Sequence, residues 1–256
     1  MTTDNQFPGN ADIKNAYEST VGRWPTYLDP VLDEAPQFAE AYRQFAAAGA
    51  TGHLSELDVE LISVAVNAST TLMHEEALRV HIRNALALGA TREQLLEVFE
   101  LASVIGIHTV TMGMPILLDE LTVDGQRDSK ELNEHQESVK AAYIAARGAW
   151  GPFFEDWVRL DPALMQAYIG YSTVPWKTGP LPPKLKEFVY IAVDAQATHL
   201  YAAGTRLHIH NALKLGASRE EIIEVFAVIS RIGIYSCTMG LPILREELSR
   251  LGNSED

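Results

Sequence analysis

The chain repeats itself. RVHIRNALALGATREQLLEVFELASVIGIHTVTMGMPILLDEL (79–121) returns as RLHIHNALKLGASREEIIEVFAVISRIGIYSCTMGLPILREEL (206–248), with 26 of 43 positions identical. Self-similarity of that length marks a duplicated folding unit. A weaker match runs upstream, where 16–42 aligns with 142–168. It sets Tyr17, Gly22, Trp24, Pro36 and Tyr42 against Tyr143, Gly148, Trp150, Pro162 and Tyr168. The offset grows by one residue near the Pro-rich KTGPLPPK stretch. The polar segment 122–136 is the natural joint, so two homologous units are expected, 1–126 and 127–256. A unit of that size can carry its own core.

Within each unit the periodicity is helical. In LSELDVELISVAVNA (54–68), Leu57, Leu61, Val64 and Ala65 fall on one helical face, with Ser55 as N-cap and Asp58 three places on. ALRVHIRNALALGA is a second helix that Gly89 terminates. TREQLLEVFELASVIG is a third, capped by Thr91 and carrying acids in its first turns, where the helix dipole favours them. Gly106, Gly113 and Pro115 then interrupt an apolar segment, and Pro115 is expected to end or kink its helix. No stretch alternates as a strand would. The expected class is all-α: two homologous bundles in tandem, each of about five or six helices.

Composition removes several function classes. The net charge of −14, with no Lys/Arg cluster, disfavours nucleic acid or an anionic membrane as partner. The apolar stretches carry polar residues every few positions, so no bilayer span is expected. The N-terminus has no basic region followed by an apolar run, and a cytoplasmic location is the expectation. The single cysteine, Cys237, allows neither an internal disulfide nor a CxxC pair.

The helix reading LRxHxxxAxxxGxTxEExxEx resembles the carboxymuconolactone decarboxylase family, which also contains the AhpD-like peroxidases. The matching residues are Leu78, Arg79, His81, Ala85, Gly89, Thr91, Glu93 and Glu97. In the second copy they are Arg206, His208, Ala212, Gly216, Ser218, Glu220 and Glu224. The resemblance implies that Glu60 and Glu187 stand where AhpD-like members carry a proton-relay glutamate. It also implies oligomers, so a dimer or trimer of this tandem chain is expected. Two departures matter. The CxxC positions of the peroxidases hold His74 and Ala77, and Tyr201 and Gly204, which excludes thiol peroxidase chemistry. The acidic pair before the histidine is Glu75–Glu76 in the first copy but Ala202–Ala203 in the second.

Helical spacing puts His74, Ala77 or Leu78, His81 and Asn84 on one face, and Tyr201, Gly204 or Thr205, His208 and Asn211 on its counterpart. Small residues between polar ones leave room for a small-molecule ligand. His81 and His208 are the acid–base candidates, because imidazole as a class titrates near neutrality. Tyr201 and His74 are expected to assist, and Glu187 and Glu60 to relay or orient. His199, Asn211, Asn84, His108 and Tyr235 are candidate ligand-binding residues, while Arg79 and Arg206, off the histidine face, are assigned to ion pairs. His199, His208 and His210 lack the i, i+3 or i+4 spacing of helical metal ligands, so no metal and no cofactor is expected. The leading expectation is an acid–base enzyme of decarboxylase, lyase or isomerase type acting on a small carboxylate, lactone or keto/enol compound. The alternative is a non-catalytic ligand-binding or assembly protein on the same scaffold. The copies differ at His74/Tyr201, Leu72/His199, Arg83/His210 and His108/Tyr235.

Overall fold

The structure, a computed structural model, describes residues 7–123, 131–148 and 150–252. Helices joined by short turns are the only regular structure among those residues, with no strand among them. The first repeat runs α1 (Asn10–Thr20), α2 (Asp29–Glu34), α3 (Pro36–Ala48), α4 (Glu56–Ala68), α5 (Glu75–Ala87), α6 (Arg92–Ser103) and α7 (His108–Val123). The second follows as α8 (Glu134–Arg147), α9 (Phe153–Leu160), α10 (Pro162–Ser172), a short α11 (Val174–Thr178), α12 (Pro183–Ala195), α13 (Ala202–Lys214), α14 (Arg219–Ser230) and α15 (Tyr235–Gly252). The expected boundary at residue 126 lies outside the described residues.

The expected capping signals operate. The Ser55 side chain accepts from the Asp58 N–H, and Thr91 forms a reciprocal box with Gln94 that Ser218 and Glu221 repeat. Pro115 behaves differently from expectation: α7 continues through it, as α15 does through Pro242. A proline removes one i→i−4 bond and crowds one carbonyl. About two turns on either side keep the remaining ladder, so the helix survives. The break falls earlier, where the 3-10 turns Val104–Ile107 and Arg231–Ile234 redirect the chain between α6 and α7 and between α14 and α15. Arg92–Val123 and Arg219–Gly252 are long and apolar enough to cross a bilayer by composition. Each, however, is broken by its 3-10 turn and contributes buried residues to the core.

The two repeats interlock. α4 and α12 pack against each other at the centre, α7 packs on α9 of the second repeat, and α15 packs on α2 of the first. One core joins residues of both halves, including Leu61, Ile62, Leu101, Phe188 and Ile191. A smaller core around Trp157 and Met165 is closed by Ile107, Val110 and Met114 from the first repeat. Each large apolar side chain sealed this way contributes about 1.5–3 kcal/mol, so burial holds the exchanged helices in place.

Two glutamates of the family-like pattern clasp the halves reciprocally. Glu224 of α14 accepts from the backbone N–H groups of Thr51, Gly52, His53 and Leu54 and from the Thr51 hydroxyl, at 2.7–3.1 Å. Glu97 of α6 accepts from the Leu181 N–H at 2.6 Å and pairs with the buried Lys186 ammonium at 2.6 Å. Gly179 makes room for that carboxylate, because a Cβ there would sit 2.0 Å from Glu97 Cδ. Arg79 forms the expected ion pair, with Glu75 at 2.5 Å. Arg206 has no ion pair among the described residues.

Candidate active site

Each repeat places a histidine of its fifth-helix equivalent against a glutamate of the preceding helix. His81 Nδ1 lies 2.6 Å from Glu60 Oε2, and His208 Nδ1 lies 2.6 Å from Glu187 Oε2. Glu60 and Glu187 sit one turn or so into α4 and α12, where they face the histidines of the antiparallel α5 and α13. The second carboxylate oxygen accepts from Asn84 Nδ2 at 3.1 Å and from Asn211 Nδ2 at 3.3 Å. The amides therefore hold the glutamates. Asn84 also lines the adjoining hollow, whereas Asn211 does not line its counterpart. With Nδ1–H donated to a carboxylate, Nε2 is left to face the hollow as the reactive nitrogen.

The first hollow, of about 50 Å³, is lined by Glu60, His81, Asn84, Tyr17, Tyr27 and Tyr42, and closed by Arg231 and Tyr235 from the second repeat. The second, of about 40 Å³, is lined by His208, Tyr201, Tyr143, Tyr168, Tyr190 and Asp194, and closed by His108 and Thr111 from the first. Each is room for a few water-sized groups. Neither hollow belongs to one repeat, because the 3-10 turn and last helix of each half wall the other half's site.

The environments differ. In the first, the Tyr27 hydroxyl lies 3.4 Å from His81 Nε2. Burial pushes the Tyr27 hydroxyl well above its ordinary value, and that of Tyr235 to about 12, so both stay neutral. His74 is not on the helix face expected of it. It is the N-cap of α5, its Nδ1 accepts from the Ala77 N–H at 3.2 Å, and its ring packs against Tyr235 at 4.1 Å with a 34° tilt. It does not line the hollow. An N-cap imidazole accepting from the backbone is committed to holding the helix start.

In the second, Tyr190 stacks on His208 at 4.5 Å, and Tyr201 gives or takes a hydrogen bond with Thr111 at 2.7 Å. Asp194 is the residue that sequence reasoning missed. Its carboxyl is buried, and Oδ2 has no hydrogen-bond partner. Oδ2 stands 4.0 Å from His208 Nε2, and Oδ1 stands 3.5 Å from His108 Nε2. Burial pushes this carboxyl up to about 7, with His208 pulling it down and Glu187 pushing it further up. Burial, then His199 and His208, hold His108 down at about 3. The His108–Asp194 approach is thus a neutral imidazole beside a carboxyl that burial raises toward neutrality, rather than an ion pair. Gly204 creates the space, since a Cβ there would meet Asp194 Oδ2 at 2.0 Å. The signal was available in the duplication: Asp194 answers to Asn67, and Gly204 to Ala77.

His199 joins this cluster from outside the hollow, with Nε2 2.7 Å from His108 Nδ1. His108, Asp194 and His199 bring potential metal-ligating atoms within 4.8 Å of one another. His108, however, spends one nitrogen on each neighbour, so the three run in series rather than converging on one point. That geometry suits a hydrogen-bonded row better than a coordination shell. Among the aromatic residues near the hollows, Trp176 packs beneath Arg147 at 4.6 Å and lines neither hollow. Trp24 and Trp150 instead donate to Asp29 and Glu155, and the exposed Tyr171 bonds Ser103.

Fold and site together define an all-helical, internally duplicated protein with a glutamate–histidine dyad beside a hollow in each half. A model of the carboxymuconolactone decarboxylase family matches residues 36–108 and 162–233, more than half of the chain. The chain belongs to the carboxymuconolactone decarboxylase family. A solved structure from Burkholderia xenovorans LB400, provisionally named a gamma-carboxymuconolactone decarboxylase subunit, is 40% identical. The match covers 95% of this chain and 99% of that one, with a TM-score of 0.90. No curated protein matches the chain.

Proposed function

We propose that the chain is an acid–base enzyme of decarboxylase, lyase or isomerase type, acting on a small carboxylate, lactone or keto/enol compound in both hollows. The observation that carries this reading is the 2.6 Å Glu–His pair at each hollow, with the second imidazole nitrogen turned toward the space a ligand would fill. Glu60 and Glu187 fix the tautomer of His81 and His208 and stabilise the imidazolium that forms when Nε2 takes a proton. The same imidazolium then returns the proton to the developing carbanion or enolate carbon. Neutral tyrosine hydroxyls, Tyr27 in the first hollow and Tyr201 in the second, are placed to donate to an enolate oxygen. The decarboxylase name of the Burkholderia relative supports the same chemical class.

A positioned general acid–base group contributes about 10²–10⁴ in rate. Against a panel of lactones and β-keto acids, the double variant His81→Ala/His208→Ala is expected to lose turnover by that factor. Wild-type rates in a folded double variant would end this reading.

Assembly is part of the proposal. α7 exposes Met112, Ile116 and Leu117, and α15 exposes Met239, Ile243 and Leu244, an apolar surface that a second copy of this chain would cover. Sedimentation is expected to give a dimer or trimer at micromolar concentration, and a monomer there would contradict it.

A further inference from the structure

The two hollows share a feature that simple duplication does not produce. At the paired positions 21 and 147, the first repeat has Val21 and the second Arg147. At the paired positions 104 and 231, the first has Val104 and the second Arg231. Because the repeats wall each other's sites, Val21 and Arg231 meet in the first hollow, and Arg147 and Val104 meet in the second. Each hollow therefore contains one valine and one arginine at the same two wall positions, in exchanged order.

Both guanidiniums lack a carboxylate partner. Several other arginines of the chain, such as Arg43, Arg79 and Arg245, make ion pairs, whereas neither Arg147 nor Arg231 has an acid within 4.0 Å among the described residues although each lines a hollow. Arg231 gives one Nη to the Ala46 carbonyl at 3.3 Å, and its buried Nε has no partner. Arg147 lies over the Trp176 and Tyr190 rings at 4.6 and 5.5 Å, reaches the neutral Tyr143 and Tyr190 hydroxyls and has one long contact to the Ser172 carbonyl, but no anionic partner. A guanidinium offers five donors in a planar fork that matches a carboxylate. A buried guanidinium held only by neutral partners beside a hollow costs free energy that a bound anion would recover.

We propose that Arg231 in the first hollow and Arg147 in the second anchor the carboxylate of the ligand, so that the two sites bind the same class of monoanion from different walls. The anchor in the first hollow comes from the 3-10 turn of the opposite repeat. In the second it comes from the end of α8, within the same repeat. The exposed Arg23 at the rim of the first hollow adds positive charge to its entrance. This rests on reading the hollows as ligand sites, and not on proton transfer within them.

Acetate is a probe small enough for the space, and acetamide is its uncharged isostere. Line broadening of ¹³C-labelled acetate by the full chain reports binding at both sites. Arg231→Val and Arg147→Val install the residue that the paired position already carries, so each variant keeps a packing the fold uses. Each is expected to remove about half of the broadening. Together they should abolish it, a loss of at least about tenfold in affinity per site, or about 1.4 kcal/mol. Adding Val21→Arg to Arg231→Val rebuilds the first hollow in the pattern of the second and is expected to restore acetate binding. Acetamide should not broaden in any form. A folded double valine variant that still binds acetate like wild type, a wild type that binds no acetate, or equal binding of acetamide would overturn the proposal. His81→Ala/His208→Ala is expected to keep acetate binding, so anchoring and proton transfer can fail separately.

Discussion

Tyrosines wall both hollows, but the first adds an amide, Asn84, whereas the second adds a second histidine, His108, and a buried acid, Asp194. Both have the same dyad at the same 2.6 Å. Where the first has Asn67, Ala77, Leu72 and Tyr235, the second has Asp194, Gly204, His199 and His108. Those replacements are coupled. Removing the Cβ at 204 admits the Asp194 carboxyl, and a histidine at 108 gives that carboxyl a neighbour. His199 then satisfies the far nitrogen of His108. The dyad is thus common to both sites, while the surroundings of Nε2 distinguish them. The first hollow surrounds it with hydroxyls that stay neutral, and the second adds a carboxyl that changes charge near pH 7.

The largest expected effect tests whether both sites work. His81→Ala leaves only the second hollow active and His208→Ala only the first. Each is expected to retain about half of the turnover, because each removes the 10²–10⁴ contribution at one site alone. The survivors should differ in pH dependence. Activity of the His81→Ala protein should carry an ionisation near 7 from Asp194 that Asp194→Asn removes. Activity of the His208→Ala protein should lack it. Identical profiles would mean that the Asp194 charge does not reach the reaction.

The two interlocking clasps offer a second comparison. Glu97→Ala strands the buried Lys186 ammonium, and losing one partner of a buried pair costs roughly 3–5 kcal/mol. Glu224→Ala strands four backbone donors instead, and losing even two of these charge-assisted bonds at about 1.5–3 kcal/mol each, with water taking over the rest, gives a similar loss. They separate by pH. Burial raises the Glu224 carboxyl, but the backbone donors and the Thr51 hydroxyl outweigh it, and the net direction is down. A depressed folded value stabilises above the ordinary carboxyl range and is lost as pH falls through it. Urea unfolding of wild type should therefore weaken on acidification below about pH 4, and Glu224→Gln should flatten that limb. An unchanged limb would show that the clasp does not hold its charge.

Much of this was legible in the residues. The duplication, the capping residues Ser55 and Thr91, and the pairing of His81 with Glu60 follow from periodicity and resemblance, because each depends on contacts within one repeat. What escaped depends on contacts between repeats. Arg231 and Thr111 reach their hollows only because the 3-10 turns send α7 and α15 across to the other half, and no local pattern encodes that crossing. His74 misled for a different reason: helical spacing assumes the helix has begun, whereas His74 is its cap. Asp194 was hidden in an apolar helix, visible only by laying it beside Asn67.

The smallest expected effects lie at that last difference. The folded value of Asp194, at about 7, stands above its unfolded one, so the unfolded chain gives up its proton first. Stability from this residue is then full at low pH and falls as pH rises from about 4 to 7, by on the order of 2–4 kcal/mol. Asp194→Asn should remove that slope and raise the melting temperature at pH 8 while leaving it nearly unchanged at pH 4. Gly204→Ala pulls the other way. Helix propensity favours alanine by about 1 kcal/mol, yet the new Cβ at 2.0 Å from Oδ2 forces the carboxyl to move, and overpacking of that kind costs about 1–3 kcal/mol. The first repeat already shows how alanine is accommodated there: Asn67 turns its amide back to the Ser63 carbonyl at 2.8 Å. An asparagine at 194 can do the same toward the Tyr190 carbonyl. The double variant Gly204→Ala/Asp194→Asn should therefore be more stable than the sum of its single changes by about 1 kcal/mol, measured as a double-mutant cycle. Strict additivity would show that Gly204 and Asp194 are independent, and that the second site did not acquire them as a pair.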